Sequence, residues 1–197
     1  MGTPTFSVPI LEALIDATNV ILVVSQPDRE KTRKGELLPT PTKGLAIEHN
    51  IEVYQPTNIR KEYQKIIDLT PDIIITCAYG QIIPKEILNC SKYGAINVHG
   101  SLLPHLRGGA PIHHAIMSGD KVTGITIMYM DEAMDSGDII SQREINIGDD
   151  CLDTLYEKMS YLGRDLLMDT LPSIIAGTNE RIPQDQSQVT FGLNITK

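Results

Sequence analysis

Residues 20–25 read Val-Ile-Leu-Val-Val-Ser, and residues 72–76 read Asp-Ile-Ile-Ile-Thr. Short, nearly continuous runs of β-branched residues are expected of strands buried on both faces, as in a parallel sheet covered by helices. Outward from these two, residues 95–98 (AINV) form a third candidate strand and residues 124–130 (GITIMYM) a fourth. Residues 138–147 read as a longer strand with partial alternation. Helix candidates fall between them, at residues 8–18, 43–50, 62–69, 84–89 and 110–118. This alternation predicts βαβ units around a parallel sheet, with antiparallel strands added late. A last helix is expected over residues 152–177, where Leu152, Leu155, Met159, Leu162 and Leu166 make one apolar stripe. Gly163 weakens that helix, and Pro172 is expected to kink or restart it.

The chain is 197 residues long with a net charge of −8, and 41% of it is apolar, which suits one globular domain and argues against global disorder. No apolar run is long enough to span a membrane. The three cysteines, Cys77, Cys90 and Cys151, are far apart, which disfavours a disulfide framework or a cysteine zinc site and fits a reducing cytosol. His49, His105, His113 and His114 lack ligand spacing, so no metal site is expected.

The third strand runs into Asn97-Val-His99-Gly-Ser101-Leu-Leu-Pro104. Asn97 and His99 are two apart, so on a strand they share a face. The C-terminal end of a parallel strand is where open α/β sheets place ligands. There a carboxamide can donate to a developing oxyanion, and an imidazole can carry a proton near neutral pH. A structural Asn and a core His explain the pair equally well. The fourth strand enters a loop that holds Asp131, Glu132, Asp135 and Asp138. One of these carboxylates can orient the imidazole, but spacing does not say which, and ordinary turn chemistry also accounts for the loop.

The segments GAINVHGSLLP (94–104), RGGAPI (107–112) and GITIMYMDEAMDSGDII (124–140) resemble the folate-dependent formyltransferase family. The resemblance extends over MGTPTFSVPILEALI, SQPDR, the Pro-Thr-Pro-Thr-Lys run at 39–43, CAYGQIIP and VTFGLNIT. It implies a Rossmann-like three-layer α/β domain with a mostly parallel sheet, whose first strand is missing from this chain. It implies Asn97, His99 and Asp135 as the catalytic residues, and Ser101, Leu102, Leu103 and Pro104 as folate-binding residues. The co-substrate would be 10-formyltetrahydrofolate, with no metal, and the product a formylated amine. The QPDR loop and RGGAPI favour the branch of the family that formylates initiator methionyl-tRNA. A sugar-nucleotide amine as acceptor, or an inactive folate-binding fragment, is the alternative.

Residues 26–43 carry five Lys and Arg against three Asp and Glu, in an otherwise acidic chain. A solvated loop would account for this. The resemblance instead implies a tRNA-contacting loop with Arg29, Lys31, Arg33 and Lys34. Residues 1–178 are thus expected to be the catalytic domain, and residues 179–197 a polar linker toward an absent C-terminal β-barrel. A monomer in the cytoplasm, with weak activity on tRNA in this exact chain, completes the expectation.

Overall fold

The computed structural model describes residues 1–29 and 35–195. The chain begins with a 3₁₀ turn (Thr5–Ser7) that leads into α1 (Val8–Ala17), followed by β1 (Val23–Val24), α2 (Pro41–Glu48) and β2 (Val53–Tyr54). Then come α3 (Gln64–Asp68), β3 (Ile74–Thr76), α4 (Lys85–Leu88), β4 (Ala95–His99) and α5 (Pro111–Met117). Two long strands, β5 (Val122–Tyr129) and β6 (Ile139–Asn146), precede the 25-residue helix α6 (Leu152–Ala176). No helix among the described residues is long and apolar enough to cross a membrane.

Strand pairing is parallel for β1–β2 and β3–β4, and antiparallel for β4–β5 and β5–β6. The parallel half with late antiparallel additions is therefore as the sequence pattern predicts. β1 and β3 do not pair with each other. Met1 and Gly2 lie between them: the Gly2 amide donates to the Val24 carbonyl (2.9 Å), and the Cys77 amide donates to the Met1 carbonyl (2.9 Å). Next to this short bridge is a cavity of about 630 Å³, lined by Ile10, Leu14, Ile21, Val23, Ile73 and Ile75 among others.

Apolar side chains cover both faces of the sheet. On one, Ile96, Val98, Ile125 and Ile127 pack against Ile10 of α1 and Leu155, Met159, Leu166 and Leu167 of α6. On the other, Ile74 and Ala95 meet Ile66 of α3 and Ile87 and Leu88 of α4. The two β4 residues facing the first core, Ile96 and Val98, alternate with Asn97 and His99, which turn the opposite way. Phe6 meets Tyr156 edge-on at 5.0 Å and ties the first turn to α6.

α6 runs as one element through Pro172, which sits on its exposed side. Gly163 is a contact requirement rather than a weakness. A Cβ there would lie 3.0 Å from Val98 Cγ1 and 3.5 Å from Ile10 Cδ1, so its absence lets α6 approach the sheet. The polar segment after α6 is held down along its described length. Ile182 pairs with Ile139, and Phe191 bridges to Arg107.

Candidate active site

Asn97 and His99 occupy the end of β4, and their placement follows from the strand's period of two. β3 ends beside them: Thr76 is the register partner of Asn97, and its hydroxyl donates to Asn97 Oδ1 at 2.9 Å. A hydroxyl can also accept, so the amide is oriented from its other end, where only Nδ2 can donate to a carboxylate. Nδ2 points toward Asp135 Oδ1, at 3.5 Å.

His99 is buried, and its Nε2 lies 3.0 Å from the Leu106 carbonyl. A carbonyl only accepts, so Nε2 carries a hydrogen. The other nitrogen, Nδ1, faces Asp135 Oδ1 at 3.8 Å. Of the four acidic residues in the loop after β5, Asp135 is thus the one turned to the imidazole. Asp131 instead accepts from Ser136 and the Ala133 amide, and Asp138 pairs with Arg181. The Gly108 amide donates to Asp135 Oδ2 at 2.8 Å and leaves Oδ1 for Asn97 and His99. The loop turns back tightly at Gly137, where a Cβ would lie only 2.0 Å from the Tyr129 carbonyl oxygen.

The Ser101–Pro104 residues divide. Ser101 is fully buried and its hydroxyl donates to the His105 carbonyl at 2.6 Å. Leu103 is buried with Met128 and Ile139, and its amide donates to the Thr126 hydroxyl. Leu102 and Pro104 are half-buried. Of the basic loop residues, Arg29 is exposed, whereas Lys31, Arg33 and Lys34 lie outside the described residues. The large cavity between β1 and β3 is not lined by Asn97, His99 or Asp135.

Asp28 anchors the base of the basic loop. Its carboxylate accepts from Lys43 Nζ, Gln55 Nε2 (2.7 Å) and the Thr40 amide (3.2 Å). Burial opposes its charge, but these donors outweigh burial and hold the carboxyl below the usual Asp range.

Three residues around the site have partners that the sequence does not reveal, although Arg107 opens the RGGAPI segment. Arg107 is buried, and both its Nε and Nη2 donate to Gln184 Oε1, at 3.0 and 2.7 Å. Gln184, also buried, comes from the polar segment after α6. Thr76 was visible only as the last residue of a strand, and its partnership with Asn97 needed the parallel register.

A carboxamide, an imidazole and a carboxylate converge where a parallel strand of an α/β sheet ends, a place where such sheets bind ligands and where these groups can stabilise an oxyanion and move a proton. Residues 1–171 match the formyl transferase family model, and the chain belongs to that family. It is 55% identical to the methionyl-tRNA formyltransferase of Limosilactobacillus fermentum, an alignment covering all of this chain and 64% of that protein. It is 53% identical to the methionyl-tRNA formyltransferase of Enterococcus faecalis over the same shares. The chain therefore spans under two thirds of the length of these relatives. Among solved structures, phosphoribosylglycinamide formyltransferase of Bacillus halodurans superposes with a TM-score of 0.71 at 25% identity, covering 89% of this chain and 92% of that one. A formyltransferase of Anoxybacillus kamchatkensis, solved with a formamido sugar nucleotide and tetrahydrofolate, gives a TM-score of 0.64 at 28% identity. That match covers 87% of this chain and 85% of the other.

Proposed function

We propose that this chain is the catalytic part of an enzyme that moves a formyl group from 10-formyltetrahydrofolate to the amino group of initiator methionyl-tRNA, the formylation step of translation initiation. The observation that carries the reading is the convergence of Asn97, His99 and Asp135. The amine lone pair attacks the formyl carbon, and the carbonyl π pair moves onto oxygen. Asn97 Nδ2, turned toward Asp135, has a second hydrogen that can be donated to that oxyanion. The oxyanion then collapses, and the bond to the folate nitrogen breaks. One proton must leave the incoming nitrogen and one must reach the departing nitrogen. His99 carries it at Nδ1, since Nε2 is committed to the Leu106 carbonyl, and Asp135 faces the nitrogen that does so. Half-buried Leu102 and Pro104 offer apolar surface to the folate, while Ser101 and Leu103 shape the loop from beneath.

The acceptor assignment is supported by identity above 50% along the whole chain to relatives named for methionyl-tRNA, and by the basic residues Arg29, Lys31, Arg33 and Lys34. Phosphate contacts of this kind position a nucleic acid without reading its sequence. Such an enzyme would work in the cytoplasm, as a monomer. The test offers the chain 10-formyltetrahydrofolate with either methionyl-tRNA or a nucleotide-linked amino sugar. Formyl is expected on the tRNA, with slow turnover. Arg33→Ala with Lys34→Ala should raise KM for the tRNA by about tenfold at moderate salt. Formylation of the sugar nucleotide alone would overturn the assignment.

A further inference from the structure

Two residues that touch His99 or face it adopt backbone conformations that L side chains seldom take. Leu106, whose carbonyl accepts from His99, has φ +57°, and Asp135 has φ +49°. Such conformations persist only where the surroundings hold them. Both are held from the same segment, residues 184–192, which lies beyond the residues matched by the family model.

The first hold is Gln184. Its Oε1 accepts twice from the Arg107 guanidinium, and its Nε2 donates to the Asp135 carbonyl (2.9 Å) and the Gly137 carbonyl (2.8 Å). The amide orientation is unambiguous, since guanidinium only donates and carbonyls only accept. Among the described residues, no carboxylate lies within ion-pair distance of Arg107, so this buried cation is satisfied by neutral oxygens. The second hold is Thr190. Its hydroxyl accepts from the Leu106 amide (2.8 Å) and faces His105 Nδ1 (2.7 Å). His105 Nε2 faces the Asp120 carboxylate at 3.1 Å and so carries a ring hydrogen. Nδ1 and the Thr190 hydroxyl then share a hydrogen bond across 2.7 Å. Main-chain bonds between Arg107 and both Thr190 and Gly192 close the knot.

We propose that Gln184 and Thr190 are positioning residues for the formyl-transfer site. Gln184 latches the Asp135 loop to Arg107, and Thr190 accepts from the amide of Leu106, the residue whose carbonyl orients His99. The proposal rests on the reading of Asn97, His99 and Asp135 as the catalytic group.

The test is a double-mutant cycle on the whole chain, read as the rate constant of formyl transfer with KM for the formyl donor followed separately. Misplacement of a catalytic group by about 1 Å costs on the order of 100-fold. Gln184→Ala should therefore lower the rate constant by about 10- to 100-fold and leave KM within about threefold. In the Asp135→Ala background the same change should cost under about twofold, because the latch no longer has a carboxylate to place. Thr190→Val should slow transfer, and Thr190→Ser should restore it. A second measurement needs no turnover: in Gln184→Ala the ¹⁵N resonances of the His99 ring should shift while those of His49 stay in place. Equal losses with and without the Asp135 carboxylate, or an unmoved His99 spectrum, would overturn the proposal. If His99→Ala transfers formyl at the wild-type rate, the catalytic reading itself fails; if His99→Ala is inactive and Gln184→Ala is not impaired, only the latch fails.

Discussion

Asp28 shows how a single residue can decide local order beside a charged loop. It joins Thr40, Lys43 and Gln55 close to the basic residues 29–34 in sequence. Its carboxyl titrates below the usual Asp range, so the contribution of its charge is present above the ordinary Asp pKa of about 4 and is lost as pH falls through the lower folded value. Asp28→Asn should cost about 1.5–3 kcal/mol at neutral pH, the size of a hydrogen bond to a charged group. That difference should shrink below about pH 4. Denaturant melts of both proteins from pH 7 to pH 3 check this, and a pH-independent difference would show that the charge plays no part. Asn97 and His99 were legible as a same-face pair because strand period is local information. Which acidic residue meets His99 was not legible, because it depends on how the loop returns at Gly137 and on the Gly108 amide.

At the scale of elements, the sequence pattern identified the strands that became β1, β3, β4, β5 and β6 but overextended the first. Residues 20–25 looked like a full strand, yet only Val23–Val24 pair in the ladder, since neighbouring partners exist only there. β2 was missed because two residues carry no periodicity. Pro172 is expected to kink or restart α6; the helix does not restart there but runs as one element, with the proline on the exposed side. Gly163, read as a flaw in helix propensity, is explained by tertiary contact with Val98 and Ile10. Gly163→Leu should therefore destabilise the domain despite a better helix propensity. Overpacking of about 1–3 kcal/mol lowers Tm by roughly 2–12 °C in a chain this size. Thermal unfolding measures it, and an unchanged or raised Tm would mean that α6 can move off the sheet at no cost.

For the molecule as a whole, the polar segment after α6 changed most between sequence and structure. Its composition predicts a linker, and nothing in residues 179–195 repeats with a strand or helix period. The structure attaches it through Ile182, Gln184, Thr190 and Gly192, bonds made largely by main-chain groups and polar side chains that hydrophobic patterning does not register. The candidate site thereby draws on distant parts of the chain: the ends of β3 and β4, residues 101–108, the loop after β5 and the segment after α6. Net charge is equally uninformative at this scale, because an acidic body masks the basic residues 29–34.

The central claim is that Asn97, His99 and Asp135 perform formyl transfer, and the rate constant for transfer from 10-formyltetrahydrofolate to methionyl-tRNA under single-turnover conditions tests it most directly. Asn97→Ala, His99→Ala and Asp135→Ala should each lower that constant by about 100-fold or more, the range for loss of an oxyanion donor or a general acid–base group. A near-wild-type rate for His99→Ala would contradict the account.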